Sequence, residues 1–497
     1  MGTTKMLNAE TADFETQSRY RAAASSPVRV LQIGEGNFLR GFADWMLHEC
    51  RKKGLFDGSV AVTQPRPSGG AKLEQLAAQD GLYTLLIRGL EQGRKVERSE
   101  VVAVFRELID PYREWERFLS LAERPELEAV ISNTTEAGLT YVYTPWKPDE
   151  PMPSYPARLT LWLYRRYEAF AGAADKGLLL LPCELLERNG DTLKACVLRH
   201  CDDWSLPDGF RRWLEEHNRF LNSLVDRIVT GYPADEAPAL FERWGYEDLL
   251  LNTAEPYHFW AIEGEPELDR RLPFVQAGLN VRWVPDLRPY QLRKVRILNG
   301  AHTLMTPLGL LSGVRHVREL MEHETLGSWV REAVAEEIVP AVPLEPSELR
   351  VYAAEVFERF ANPYIEHRLS DIAMNSVSKF RTRLVPTLLS YAGERRELPK
   401  RMVTALAALL RLYRVKRLDD GDYGGVRFDG TPYTVNDSKP VLETMSALWT
   451  EYGTDARLLA DAVLSREEWW GCDLRTPAGL PLVQAIARQL EQWEECE

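Results

Sequence analysis

The chain has 497 residues, 45% of them hydrophobic, and a formal net charge of −13 at pH 7. This length and apolar content suffice for two or three domains with cores of their own, whereas the acidic balance argues against nucleic acid as a constitutive partner. The six cysteines are too sparse for a disulfide scaffold and suit a reducing cytosol. No apolar run approaches the roughly 20 residues that span a bilayer. We therefore expect a cytoplasmic protein without nucleic-acid or membrane partners; the oligomeric state stays open.

A strand, a glycine turn and a helix are predicted near the N-terminus, after a lead-in that ends at residue 26. Val28–Ile33 is predicted to be a buried strand, Gly34 and Gly36 follow it, and residues 37–50 carry apolar side chains at helical spacing. In this context the glycines allow a tight turn and the close approach of a pyrophosphate to the backbone. The segment is therefore a candidate dinucleotide-binding turn.

Two features of the usual dinucleotide pattern are missing. Leu39 replaces the third glycine, although Gly41 comes shortly after it. The next predicted strand, Ser59–Thr63, ends without the acidic residue that normally binds the adenosine ribose, and Arg66 nearby suits a 2′-phosphate. On these patterns alone, nucleotide binding and the choice between NAD and NADP both stay open.

Two further segments of the first half place polar residues next to apolar ones. A predicted strand at 127–132 leads into small polar residues at 133–138, where open α/β sheets bind ligands, although an ordinary turn explains them equally well. Residues 222–229 hold Asp226 and Arg227 among apolar side chains, as a buried ion pair or as the wall of a site. The other strands are predicted at 177–181, 257–262 and 280–284.

The strongest candidate for chemistry is the stretch 285–313. Helix formers follow its prolines, and at about 100° per residue Lys294, Asn299 and His302 fall within an arc of roughly 140°. Gly300 between them indicates the close approach of another group. An ammonium, an amide and an imidazole at one place can hold a carbonyl oxygen and exchange a proton with it, which is alcohol–ketone chemistry. A solvated lysine beside a core histidine is the alternative interpretation.

Helical patterns dominate the chain after residue 313. They are predicted at 349–360, 370–391, 400–417, 440–452, 457–469 and 480–494, and the loop at 419–425 is interpreted as a helix connection. The expected architecture is an α/β Rossmann-like dinucleotide-binding domain over residues 1–284, followed by a mainly α-helical substrate domain over 285–497.

Four segments together resemble the mannitol dehydrogenase family, the long-chain polyol-specific dehydrogenases. They are GEGNFLRGF at 34–42, SNTTEAG at 132–138, DRI at 226–228 and NSVSKF at 375–380. The most specific element is the family's K-x-x-x-x-N-x-x-H signature, which runs from Lys294 through Asn299 to His302. The resemblance covers most of the chain.

The resemblance implies metal-independent hydride transfer between NAD(H) and a sugar acid. The implied catalytic residues are Lys294 as general acid–base, Asn299 and Asn189 to hold the reacting oxygen, His302 to orient the substrate, and Asp226 to tune the lysine. The implied cofactor-binding residues are Gly34, Gly36, Asn37, Phe38, Arg40, Asn133, Thr134 and Glu136. Candidates for the substrate carboxylate are Arg368, Lys379 and Arg383, because cationic side chains suit anion recognition.

Two kinds of alternative stay open at this point. Within the family, the substrate is either another stereoisomer of the sugar acid or an uncharged polyol. In another class, the chain is a silent binding protein for a nucleotide or a sugar acid, against which the intact Lys294, Asn299 and His302 set argues. A metal site is not predicted, because Cys196, His200 and Cys201 match no standard zinc spacing.

Overall fold

The computed structural model describes residues 5–495. The chain divides into two compact units, Met1–Leu287 and Arg288–Glu497, close to the boundary expected after residue 284. The first unit is an α/β domain with a parallel sheet and the second is mainly helical, so the predicted fold class is confirmed. Across the described residues, none of the helices combines the length and apolar character that crossing a bilayer requires.

The first unit contains fifteen strands and nine α-helices among its described residues. The strands are β1 Lys5–Met6, β2 Val28–Ile33, β3 Ser59–Thr63, β4 Tyr83–Glu91, β5 Arg94–Val102, β6 Phe105–Ile109, β7 Ala129–Ser132, β8 Leu179–Pro182, β9 Arg219–Phe220, β10 Ser223–Asp226, β11 Val229–Gly231, β12 Tyr246–Glu247, β13 Asn252–Ala254, β14 Phe259–Glu263 and β15 Val281–Val284. The helices are α1 Phe14–Ser25, α2 Asn37–Arg40, α3 Ala43–Lys52, α4 Gly70–Ala78, α5 Trp115–Ser120, α6 Tyr155–Ala169, α7 Asn189–Asp203, α8 Asp208–His217 and α9 Ala237–Trp244.

A six-stranded parallel sheet forms the centre of this unit, in the order β6-β3-β2-β7-β8-β9. The middle strands of the sheet are rich in apolar residues because both faces are covered: Val30 of β2 packs into one core and Leu31 into the other. The chain order reverses between β2 and β7, and open α/β sheets bind ligands at the carboxyl ends of the strands beside such a switch point. The glycine turn after β2 and the polar segment after β7 both lie at this edge.

Two predictions near the N-terminus were wrong in detail. Residues expected to be only a lead-in form helix α1, which Asp13 caps by accepting a hydrogen bond from Thr16 N at 2.7 Å. Only Thr16 and Ala23 of this helix are buried, so its apolar pattern is too weak to predict it. The helix expected over 37–50 is interrupted at Phe42, whose φ of −134° and ψ of −86° separate α2 from α3.

The second unit packs its helices around one core. They are α10 Arg288–Arg293, α11 Gly300–Leu311, α12 Val317–Glu322, α13 Glu324–Glu332, α14 Pro346–Phe360, α15 Leu369–Ile372, α16 Ser376–Arg383, α17 Val385–Arg395, α18 Lys400–Leu412, α19 Lys439–Tyr452, α20 Ala456–Leu464, α21 Glu467–Trp470 and α22 Leu482–Glu494. Two π-helices occupy Lys294–Asn299 and Ala333–Ile338. The loop expected at 419–425 belongs instead to a small antiparallel sheet of β16 Lys416–Arg417, β17 Tyr423–Val426 and β18 Pro432–Val435.

Candidate active site

The glycine turn after β2 requires glycine at its first position. Gly34 has φ of +127°, and a Cβ there would lie 2.8 Å from the carbonyl oxygen of Asn133. A Cβ on Gly36 would meet nothing within 4 Å. Packing inside the protein therefore explains Gly34, whereas Gly36 leaves open space above the turn for another molecule.

Gly41 supplies the close packing that the missing third glycine would have provided. A Cβ at this position would lie 2.9 Å from Cγ1 of Val229 and 3.2 Å from Nδ2 of Asn252. The amide of Asn252 also donates to the carbonyl oxygen of Asn37 at 2.8 Å. The turn is thus held against β11 and β13, which explains how Leu39 is tolerated where glycine is usual.

A buried polar pair supports the turn from behind. The amide of Gln32 donates to the carbonyl oxygen of Gly34 at 2.9 Å and to Oδ2 of Asp44 at 3.2 Å. Burial raises the pKa of Asp44 to about 8, although the hydrogen bond from Gln32 and the charge of Arg40 oppose the shift. Asp44 therefore carries a proton in the folded protein at neutral pH.

We expect this proton to make stability depend on pH. An unfolded aspartate has a pKa of about 3.9, so between about pH 4 and pH 8 the folded protein holds one more proton at Asp44 than the unfolded chain, and stability falls as pH rises through this window. Asp44→Asn removes this proton uptake and should make the decline of stability with pH less steep. Thermal unfolding of both proteins at several pH values measures it; identical slopes would show that Asp44 does not contribute.

Three predicted cofactor residues on α2 differ in what they offer. Arg40 is 2% exposed, and its guanidinium donates to the carbonyl oxygens of Glu35 and Leu250 and to Oδ1 of Asn37. Phe38 stacks on Phe42 with ring centroids 4.9 Å apart. Arg40 and Phe38 therefore hold the turn, and the half-buried Asn37 is held by Arg40.

The segment after β7 is fixed by an acidic residue that the sequence did not single out. Glu184, 3% exposed, accepts hydrogen bonds from Thr134 N at 2.8 Å, Thr134 Oγ1 at 3.0 Å and Ser132 Oγ at 3.2 Å. Burial raises the pKa of Glu184, although these hydrogen bonds oppose the shift. Asn133 donates to the carbonyl oxygen of Cys183 at 3.0 Å, whereas Glu136 is exposed. The only sequence signal for Glu184 is its place just after β8.

Several buried polar atoms at this edge find no hydrogen-bond partner among residues 5–495. They are Oε2 of Glu35, both side-chain polar atoms of Gln64 and the hydroxyl of Tyr155. Tyr155 also lines a cavity of about 250 Å³ with Pro65, Arg66, Thr134 and Val142. Unsatisfied buried donors and acceptors indicate a polar ligand, and the partly apolar walls suit an aromatic base. With the open space at Gly36, these residues fit a dinucleotide.

The amide of Asn189 is fully used within the first unit. Its Nδ2 donates to the carbonyl oxygens of Pro182, Glu184 and Ser223 at 2.9 to 3.1 Å, and its Oδ1 accepts from Gly190 N and Ser223 N at 2.9 Å. The side chain thus joins the end of β8 to α7 and β10 and has no donor left for a reacting oxygen.

Asp226 and Arg227 lie at the end of β10, and both are buried. Arg227 donates to the carbonyl oxygens of Glu255 at 3.0 Å and Gly41 at 2.8 Å and covers the ring of Trp45 at 4.2 Å. Arg227 therefore connects β10 to the glycine turn, while Asp226 pairs in register with Phe259 of β14.

The predicted catalytic residues of the second unit lie on a π-helix and on the helix that continues it. Lys294 begins the π-helix Lys294–Asn299 and Asn299 ends it. Because π-helical hydrogen bonds join residue i to i+5, these two residues stack on one face. Both side chains are half-buried. A Cβ on Gly300 would lie 3.5 Å from Leu384, an ordinary contact, so the close approach expected there has no cause within the described part of this unit.

His302, one turn further on, lies in cationic surroundings. It is 9% exposed, and its Nε2 finds no hydrogen-bond partner within the described part of the chain. Burial lowers the pKa of His302 well below its usual value, and His367, Arg359, Arg383 and Lys379 lower it further. The imidazole is therefore neutral and can exchange a hydrogen bond with a substrate hydroxyl.

The three candidates for the substrate carboxylate are placed differently. Lys379 and Arg383, both on α16, lower the pKa of His302. Lys379 donates to the carbonyl oxygen of Ile372 at 2.9 Å, and Arg383 donates to Oγ1 of Thr303 at 3.1 Å. Arg368 is exposed just before α15, and its backbone pairs with His316. Over residues 5–495, no group of three or more His, Cys, Asp and Glu residues is arranged to hold a metal ion.

Comparison with known proteins places this arrangement in a family. Residues 28–274 match the family model described as mannitol dehydrogenase Rossmann domain, and residues 286–494 match the mannitol dehydrogenase C-terminal domain. Among curated relatives, the chain is 43% identical to the altronate oxidoreductase of Halalkalibacterium halodurans, with 92% of this chain and 89% of the relative covered. It is 38% identical to the altronate oxidoreductase of Phocaeicola vulgatus, with 99% and 98% covered.

Solved structures show the same fold. The ternary complex of Pseudomonas fluorescens mannitol 2-dehydrogenase with NAD and D-mannitol is 21% identical, covers 99% of this chain and 95% of its own, and gives a TM-score of 0.63. A substrate-free D-sorbitol dehydrogenase is also 21% identical, covers 95% and 94%, and gives 0.76. The chain therefore belongs to the mannitol dehydrogenase family of oxidoreductases that act on CH–OH groups with a nicotinamide dinucleotide.

Proposed function

We propose that this protein interconverts D-tagaturonate and D-altronate with NAD(H), with Lys294 as the general acid–base and without a metal. The observation that carries the proposal is the π-helix that stacks Lys294 and Asn299 beside His302 and its cationic neighbours. It combines a proton donor, an amide for an oxygen and positive charge for a carboxylate. The altronate oxidoreductases with which the chain shares 38–43% identity support the choice of this sugar acid.

Each residue of the set has one task in ketone reduction. Lys294 starts as the ammonium and gives its proton to the oxygen of the forming alkoxide, and in alcohol oxidation the neutral amine takes it back. The amide of Asn299 donates a hydrogen bond to the same oxygen and stabilises its developing charge. The neutral His302 holds a neighbouring hydroxyl. Bound nicotinamide supplies the hydride for reduction and receives it in oxidation.

Asn189 acts in this scheme through the backbone that it holds. Asn189 has its donors bonded to carbonyl oxygens, so we assign it the positioning of the β8 and β10 ends, not contact with the reacting oxygen. Asp226 sits at the end of β10, and its proposed influence on the lysine is electrostatic. Arg40 likewise positions the glycine turn, and Gly34, Gly36, Asn37, Asn133, Thr134 and Glu136 form the cofactor edge.

We expect a preference for NAD over NADP. The family supports NAD, whereas β3 ends without the acidic residue that normally binds the adenosine ribose and disfavours a 2′-phosphate. Arg66 nearby is exposed and favours that phosphate. The kcat/KM values for both cofactors, with Arg66→Ala alongside, decide the matter. A higher value for NADPH that Arg66→Ala reverses would contradict this expectation.

Substrate choice is tested by NADH oxidation with three ketones: D-tagaturonate, D-fructuronate and D-fructose. We expect the highest kcat/KM with D-tagaturonate and formation of NADH when D-altronate is supplied with NAD. A higher value with D-fructuronate would reassign the stereochemistry within sugar acids. A higher value with the uncharged D-fructose would overturn the sugar-acid assignment, and binding without turnover of all three would indicate a binding protein.

A further inference from the structure

His367 lies in the loop between α14 and α15, next to the histidine of the family signature. Its ring meets that of His302 edge-on, with centroids 4.8 Å apart, and Phe360 packs on His302 from another side at 4.4 Å. The carbonyl oxygen of His367 accepts a hydrogen bond from Val317 N at 2.9 Å, which ties the loop to α12. His367 is half-buried.

Positive charge gathers around these two rings from separate elements. Arg359 comes from α14, and Lys379 and Arg383 come from α16. After burial, the largest effects on the pKa of His302 come from these three cations and from His367. Two carboxylates oppose the effect of these cations: Asp371 raises the pKa of His367, and Asp437 raises the pKa of Lys379.

Burial and the neighbouring positive charge favour the neutral form of His367. Burial lowers the pKa of His367, with Lys379 adding to the effect and Asp371 opposing it. Burial also lowers the pKa of Lys379, helped by Arg383 and opposed by Asp437. Because burial and neighbouring cations destabilise the charged form of each of these groups, a carboxylate placed among them stabilises those charged forms.

We infer that His367, together with Lys379 and Arg383, forms the subsite for the substrate carboxylate, and that this histidine selects sugar acids over uncharged polyols. The inference rests on the proposed function, because it assigns the acid group of that substrate to a place. It also gives His302 a partner: the neutral ring holds a hydroxyl while its neighbour, 4.8 Å away, holds the carboxylate.

Proton uptake on binding is the consequence that a merely structural histidine would not show. A carboxylate beside His367 favours the imidazolium and raises its pKa in the complex. Between the lowered value of the free enzyme and the raised value of the complex, binding takes up a proton. Affinity for the sugar acid should therefore weaken as pH rises through this window.

The test uses calorimetry of D-altronate binding to the NADH-loaded enzyme, which cannot react because both partners are reduced. Titrations in phosphate and in Tris, which differ in ionisation enthalpy, give the number of protons taken up. We expect uptake near neutral pH in the wild type. His367→Gln should abolish it and raise KM for D-tagaturonate roughly 10-fold to 100-fold, as loss of a charged hydrogen bond does, with little change in kcat.

Two further variants separate charge from structure. His367→Arg supplies a permanent cation and should keep much of the affinity but show no proton uptake. His217→Gln, the same change at the end of α8 in the first unit, should behave as the wild type. Proton uptake that is unchanged in His367→Gln, or that is absent from the wild type, would overturn the inference. If D-tagaturonate were still turned over, the proposed function would stand. Absence of turnover with any sugar acid would remove both.

Discussion

Lys294→Met should lower the turnover of D-tagaturonate by about 10²–10⁴, the usual contribution of general acid–base catalysis. Methionine keeps the length of the side chain but offers no proton to the alkoxide and accepts none from the alcohol. The glycine turn belongs to the first unit and Lys294 to the second, so the substitution leaves the turn itself unchanged and we expect NADH binding to persist. Steady-state rates in both directions, with NADH binding followed by fluorescence, measure these effects.

The matched control for this change is Lys439→Met. Lys439 begins α19 with its side chain 72% exposed and pairs only weakly with Glu443, at 3.7 Å. It should keep full activity. Near-native turnover in Lys294→Met would show that the lysine is structural and would refute the proposed mechanism.

Asn299→Ala should lower turnover roughly 10²-fold or more, because removal of a hydrogen-bond donor to a developing oxyanion has effects of this size. The variant keeps Lys294, so the pH dependence of the residual rate should keep its shape. Asn299 ends the π-helix, and far-UV circular dichroism and thermal unfolding therefore accompany the kinetics. A rate within about twofold of the wild type would exclude Asn299 from oxygen stabilisation.

The sequence predicted the strand and the glycine turn well because their signals are local. A mostly apolar segment such as Val28–Ile33, followed by Gly34, is compatible with few structures other than a strand and a turn. The structure places the strand at the same residues. The role of Gly41 could not be predicted, because it depends on Val229, which is distant in the chain. The same holds for Glu184, whose hydrogen-bond partners Ser132 and Thr134 are about 50 residues away in the chain.

The geometry of the catalytic signature was predicted only in part. Counting at 100° per residue separates Lys294 from Asn299 by about 140°, whereas the π-helix stacks them. The sequence could not predict this change, because π-helical turns are rare and an amphipathic pattern predicts the α-helical form. His367 and Arg359 were missed for a related reason: only the tertiary packing of the second unit brings the ring of His367 and the charge of Arg359 to His302.

Metal independence is the central claim of the proposed chemistry, since Lys294 and Asn299 take the roles that a Lewis acid would otherwise have. The most direct measurement is the rate of NADH oxidation by D-tagaturonate with enzyme that has been exhaustively chelated and shown by elemental analysis to be metal-free. We predict undiminished turnover that added Zn²⁺ does not increase. Loss of turnover on chelation, with recovery when Zn²⁺ is returned, would contradict the account.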